Sequence, residues 1–140
     1  MNAAMKSVAD ACIPLPPGHV RMHGRLGQAL GKSCTKRLKK IDYPHLVDGF
    51  RHRDETDGRW RCEFWGKIVR SAINTWRGTG DEDLLAQIRL TVDDLLSTQT
   101  ADGCISSYPA ELQTKDWDLW GRKYVLLALI RYCNEVTASP

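Results

Sequence analysis

The residue types that could do chemistry begin near the start of the chain, where Cys12, His19, His23 and Cys34 offer thiols and imidazoles and the histidines have a His-x-x-x-His spacing. Zinc sites close with four such ligands at short, characteristic separations, and these cysteines stand at separations that fit no familiar finger. An adventitious grouping in an extended arm is the simpler reading. Five cysteines, at 12, 34, 62, 104 and 133, are an odd number with no Cys-x-x-Cys pair, which argues against a disulfide framework and against a complete zinc site. Free, mostly buried thiols are therefore expected. The acidic run Asp54-Glu55-Thr56-Asp57-Gly58 has oxygen ligands suited to calcium. It lacks a glutamate where an EF-hand loop needs its bidentate ligand, so a solvated turn is expected instead.

Charge is distributed unevenly. Residues 1–53 hold ten basic and three acidic side chains, and residues 54–140 hold ten basic and fourteen acidic, which sum to the net +3. The run Lys32-Ser33-Cys34-Thr35-Lys36-Arg37-Leu38-Lys39-Lys40 could release counterions on phosphate. It has no interleaved aromatic, and Leu30, Leu38 and Ile41 point to a solvated helix face, so no nucleic-acid partner is expected. At 140 residues, with 42% apolar and 26% charged residues, the composition is that of a globular protein. A chain of this size could bury roughly two-thirds of its unfolded surface. No stretch approaches the ~20 apolar residues of a membrane span. Residues 1–17 carry one lysine and no continuous apolar segment, so the start does not read as a secretory signal and the expectation is a cytoplasmic product without a membrane partner.

The elements that must position any site are helical. Pro14, Pro16, Pro17 and Gly18 deny regular structure to an extended arm over residues 1–20. A weak helical pattern from Val20 to Lys40 is broken by Gly24, Gly27 and Gly31, and Tyr43-Pro44 is expected to end it. Phe64, Trp65, Ile68, Val69, Ala72, Ile73 and Trp76 then recur at three- and four-residue spacing, which predicts an amphipathic helix closed by Gly78-Thr79-Gly80. Thr79 and Glu82 stand at capping-box spacing before a second helix over about 81–99, whose apolar face is Leu84, Leu85, Ile88, Val92, Leu95 and Leu96. So short a turn makes these two helices antiparallel neighbours. A third helix near 117–135 is apolar all round from Tyr124 to Ile130 and is expected to be buried on every side. Helices one and three each end in a threonine turn, at Thr79 and Thr137, a faint repeat of the helix-turn-helix kind from which toroids are built.

Four ordered motifs extend this reading. They are Phe50-Arg51-His52-Arg53, Trp60-Arg61-Cys62-Glu63-Phe64-Trp65-Gly66-Lys67, Thr98-Gln99-Thr100-Ala101-Asp102-Gly103 and Trp117-Asp118-Leu119-Trp120-Gly121-Arg122-Lys123-Tyr124. Together they resemble the opening of the six-hairpin glycosidases grouped with the β-L-arabinofuranosidases, formerly a domain of unknown function. The resemblance runs from about Val20 onward. It implies an all-α chain, part of an (α/α)6 toroid of antiparallel hairpins over residues 21–140 after the arm, from a glycoside hydrolase acting on L-arabinofuranosides or related plant-type sugars. In that family a zinc-bound cysteine attacks the sugar and a glutamate is the acid/base, since zinc holds the sulfur as a thiolate. The resemblance places those groups on later helices, beyond residue 140. None of the five cysteines matches them, so no catalytic residue and no zinc ligand is assigned in this chain.

What the resemblance leaves to these helices is the substrate side. Glu63 and Lys67 lie one turn apart, and Asp118, Arg122 and Lys123 cluster at the start of the third helix. Carboxylates and cations there can hydrogen-bond sugar hydroxyls, with Trp65, Trp117 or Trp120 as an apolar platform under a sugar ring. The structural alternative is that Asp118 and Arg122 form a surface i,i+4 pair worth about 0.3 kcal/mol and that the tryptophans fill the core. Carbohydrate is the partner expected of the complete enzyme. An incomplete toroid would expose apolar helix flanks and favour self-association. The rival reading is a small helical interaction module without catalysis.

Overall fold

A computed structural model describes residue 12, residues 15–54 and residues 61–137. The described residues form five α-helices and no strand: α1 (Gly24–Lys36), α2 (Tyr43–His52), α3 (Arg61–Thr79), α4 (Glu82–Leu96) and α5 (Asp118–Tyr132). Short 3-10 turns lie at Leu38–Lys40 and Ala110–Leu112, and a π-turn at Cys133–Thr137 prolongs α5. Most of the acidic run at 54–58, the Trp60 position and the last residues of the proposed repeat fall outside the described residues.

Tyr43-Pro44 opens a helix where the sequence pattern suggested an end. Asp42 caps α2 by accepting from the His45 N–H at 3.1 Å, and Pro44 sits in the first turn, where a missing N–H costs nothing and its fixed φ is already helical. Tyr43, Leu46, Val47 and Phe50 then recur on one buried face. The helix closes at Arg53, which takes a left-handed φ of 52° while its N–H donates to the Gly49 carbonyl. The Arg53 guanidinium donates to Phe50 O and, across the fold, to Thr98 O at 2.9 Å, tying this turn to the end of α4.

The junction between α3 and α4 is as short as expected, but its cap differs. Gly80 adopts φ +68° and donates to Trp76 O at 2.7 Å, closing α3. Asp81, not Thr79, caps α4, accepting from Leu84 N–H at 2.8 Å. Thr79 sits too early, its hydroxyl donating back to Thr75 O as the last turn of α3. Asp81 also accepts from Lys39 at 3.1 Å, so the same carboxylate fixes the 3-10 turn against α4.

Helices α2 to α5 form two layers. In one, α2 and α4 run parallel, with Lys39 O opposite Gln87 before α2 and Arg51 paired with Asp94 near its end. In the other, α3 and α5 run parallel, with Cys62 against Gly121, Gly66 against Tyr124, Asn74 accepting from Arg131 at 2.9 Å and Arg77 paired with Glu135. Between the layers Trp65 is wholly buried, its indole donating to Thr91 of α4 at 3.0 Å and its ring meeting Phe50 of α2 edge-on at 6.5 Å. The seam between α3 and α5 is set by two glycines. A Cβ on Gly66 would lie 2.4 Å from the Tyr124 backbone, and one on Gly121 would lie 2.5 Å from Cys62 Cβ.

The third expected helix is not buried all round. Gly121, Val125 and Ala128 face α3, while Leu126, at 58% exposed, and Leu119, Leu127 and Ile130 face solvent. One neighbouring helix covers only one stripe, so an evenly apolar helix leaves its remaining circumference open. Phe64 departs from the expected core in the same way and is 46% exposed.

Gly66→Ala should lower stability in urea titration by about 1–3 kcal/mol or more, the cost of overpacking a close backbone contact. Gly31→Ala, in open space within α1, should instead be neutral or stabilise by about 0.5–1 kcal/mol. Equal effects at the two sites would show that the α3–α5 seam is not a close contact.

Candidate functional site

The residues picked from the sequence separate into an inner and an outer set. Trp65 belongs to the core and is no platform. Asp118 is also fully buried, and the expected surface pair with Arg122 is in fact an interior hub. Its Oδ1 accepts from the Ser106 hydroxyl at 2.5 Å, its Oδ2 accepts from the Thr114 N–H at 2.6 Å, and Arg122 Nε lies 2.8 Å from Oδ2. Burial works against the charge, but the Arg122, Ser106 and Thr114 contacts outweigh it and hold the carboxyl below its usual range. The hub fixes the loop that enters α5. Thr114 and Asp116 there take left-handed φ values of 64° and 47°, unfavourable for a β-branched residue in particular. Ser106 also accepts from the Tyr108 N–H, and Ser107 bridges to the Cys62 backbone N–H at 3.2 Å.

Glu63, Lys67, Trp117, Trp120 and Lys123 form the outer set, joined by Tyr124, which the sequence pattern did not single out. Its position four residues after Trp120 was the available signal. Glu63 pairs with Lys67, and the Trp120 side chain lies near enough to favour its charge. The Lys67 contact chiefly, against some desolvation, lowers the Glu63 pKa. A carboxylate held ionised is a hydrogen-bond acceptor at neutral pH and is poorly suited to act as a general acid. Lys123 Nζ sits 3.4 Å over the Trp120 ring and 4.5 Å from that of Tyr124, and Lys67 lies 4.7 Å from the Tyr124 ring. Trp117 meets Trp120 edge-on at 6.1 Å and is 67% exposed, so it offers the more open indole. The result is an aromatic surface edged by one carboxylate and two ammonium groups. It can stack on an apolar ring face and hydrogen-bond hydroxyls.

Of the described cysteines, Cys34 and Cys62 are buried. Burial, first of all, pushes the Cys62 thiol up, and its Sγ accepts the Ser107 N–H at 3.1 Å. Burial likewise raises Cys34, with the nearby Asp81 carboxylate acting in the same direction. Among the described residues no group of three His, Cys, Asp or Glu side chains is placed to hold a metal ion. In the basic run, Lys39 is engaged by Asp81 and Asp83 and Leu38 is in the core. No helix among the described residues is long and apolar enough to cross a membrane.

Compared with protein-family models, with curated proteins and with solved structures, the chain finds no match.

Asp118→Asn should cost about 3 kcal/mol, the scale for breaking a buried ion pair. Because its folded pKa is lowered, the Asp118 contribution is fully present above the ordinary carboxyl pKa of about 4 and is lost as pH falls through the folded value. Urea titrations from pH 7 to pH 3 should therefore show a shallower acid loss of stability in the variant than in the parent. Parallel profiles would remove Asp118 from this role.

Proposed function

We propose that this chain forms the opening hairpins of an (α/α)6 six-hairpin glycosidase of the β-L-arabinofuranosidase type, acting on L-arabinofuranosides or related plant-type sugars, and that it supplies sugar-side contacts rather than catalytic groups. The observation that carries the reading is the layering: from α2 to α5 successive helices are antiparallel, while α2 with α4 and α3 with α5 run parallel within their layers. An α/α toroid repeats that pattern around a ring. The motif resemblance supports the same reading.

In this role the exposed face of Trp117 receives the C–H face of a sugar ring. Glu63, kept ionised, accepts from a hydroxyl, and Lys67 and Lys123 donate to hydroxyl oxygens, Lys123 swinging away from the Trp120 ring as it does so. Asp118 and Arg122 act from beneath, fixing the start of α5. The nucleophile, the acid/base and zinc belong to helices other than these. Fluorescence titration with methyl β-L-arabinofuranoside should change tryptophan emission in the parent and be lost in Trp117→Ala, with no hydrolysis by the chain alone. An unchanged response in Trp117→Ala, or none into tens of millimolar sugar, would remove the sugar-side role.

A second reading, an interaction module without catalysis, is favoured by one observation, the uncovered flank of α5 bearing Leu119, Leu126, Leu127 and Ile130. Either reading expects the isolated chain to self-associate through that flank. Sedimentation should show species heavier than 15.8 kDa, reverting to monomer in Leu126→Lys/Ile130→Lys. A monomeric, cooperatively melting parent would overturn this.

A further inference from the structure

A cleft of about 550 Å3 lies between the end of α1, with the 3-10 turn that follows it, and α3. That is within the roughly 300–1,000 Å3 of small-molecule sites. Its apolar lining comes from both sides: Leu38 and Ile41, which pack in or against the core, on one, and Ile68 and the half-exposed Phe64 on the other. Polar residues complete it. Ser33 and Arg37 come from α1 and its cap, and Lys67 and Ser71 stand one turn apart on α3. None of the described lining residues is acidic.

The two cations of the cleft differ in what they have to offer. Lys67 pairs with Glu63 and lies 4.7 Å from the Tyr124 ring, so its ammonium is drawn toward α5 and its methylene stem is what it gives to the cleft. Arg37 is exposed and has no ion pair among the described residues. Its neighbours in sequence, Lys36, Lys39 and Lys40, carry the same sign, and of these Lys39 is engaged by Asp81 and Asp83. Arg37 is therefore an uncompensated charge at the edge of an apolar wall. An entering cation would meet it with no carboxylate among the described lining residues. A phosphate, hydrated and without an apolar body, would leave Phe64 and Ile68 uncovered. A carboxylate matches the planar fork of a guanidinium, and an apolar body attached to it matches the wall.

We propose that this cleft binds a small amphiphilic carboxylate, an aryl- or alkyl-carboxylate whose apolar body lies on Phe64, Ile68 and Ile41 and whose carboxyl group pairs with Arg37. The long, exposed side chain of Arg37 makes that contact by rotation about its own bonds, while its backbone N–H stays on Ser33 O and closes α1. Ser33 and Ser71 keep the rest of the rim polar and neutral. The site shares only the Lys67 stem with the aromatic surface at the start of α5 and stands whether or not that surface binds sugar.

Isothermal titration of the full chain with 4-phenylbutyrate and with its neutral amide, 4-phenylbutyramide, tests it in the parent and in Arg37→Gln, Lys32→Gln and Phe64→Ala. The parent should bind the acid in the millimolar range and about fivefold more tightly than the amide, the scale of one partly exposed guanidinium–carboxylate pair. Arg37→Gln should abolish that preference while keeping the affinity for the amide. Lys32→Gln, which removes the same charge from a part of α1 outside the cleft, should retain the preference, and Phe64→Ala should weaken acid and amide alike. Because no ion pair among the described residues is lost, Arg37→Gln should melt at the temperature of the parent. Equal affinity of the parent for acid and amide would place the binding on an apolar surface such as the α5 flank, and the proposal falls. A preference for the acid that survives Arg37→Gln, or no heat from the acid into tens of millimolar, overturns it equally.

Discussion

The close approach of α3 and α5 is the constraint on which the rest of the structure depends. Two parallel helices cannot draw strength from opposed macrodipoles, so their seam must be held by packing and by specific side chains. Gly66 and Gly121 remove the Cβ atoms that would keep the backbones apart. Once the axes are that close, Asn74 and Glu135 lie within reach of Arg131 and Arg77 at the far end. At the near end, Cys62 is pressed against Gly121 and bonded to Ser107, and Ser106 beside it reaches Asp118. The polar hub at the start of α5 is thus the clamp that sets where the glycine seam begins. Ion pairs at its two ends differ in weight. In the Asp118–Arg122 pair the carboxylate is fully buried and hydrogen-bonded on both oxygens while Arg122 is partly exposed, whereas exposed pairs such as Arg51–Asp48 contribute little in water.

Placing α5 in this way decides what the surface can offer. With Gly121, Val125 and Ala128 turned to α3, the residues between them must turn outward. Trp117, Trp120 and Lys123 then come over the same patch as Glu63 and Lys67, which the α3 register presents beside them. The aromatic-cation surface is a consequence of the seam, assembled from two helices about fifty residues apart in sequence. Its ionised Glu63 follows from the same proximity, since a carboxylate with an ammonium and an indole donor at hand keeps its charge.

The sequence made some of this legible and hid the rest for identifiable reasons. α3 and α4 carry strong three- and four-residue periodicity, and the glycine between them marks the turn, so their existence, order and antiparallel pairing were readable. α2 was not, because it is only ten residues long and a proline ends helices as often as it opens them; Asp42 two residues before Pro44 is the signal that this proline opens one. Asp118 was read as half of a surface pair because an i,i+4 spacing says nothing about which face is inward. Its other partners, Ser106 and Thr114, come from a loop with no periodicity at all. For α5 the evenly apolar pattern gave no direction, and burial on every side was inferred where one side is covered. The toroid itself is a matter of resemblance; what the described residues share with it is their all-helical character.

The open flank of α5 and the closed seam on its other side are two outcomes of one rule. A helix apolar around its whole circumference gains only from the stripe that a neighbour covers, and each Leu or Ile left in water forgoes about 1.5–3 kcal/mol of burial. Four such residues on α5 forgo far more than any surface ion pair of this chain returns. The flank is therefore an uncollected driving force, directed at a neighbour able to lie along α5. A following hairpin, laid against α5 as α5 lies against α3, would collect it and continue both layers. A second copy or a helical partner would collect it without continuing them. The three cases share the energetics and differ in geometry: only the first keeps the neighbour parallel to α5 at glycine-seam distance, and only it extends the α2–α4 layer alongside.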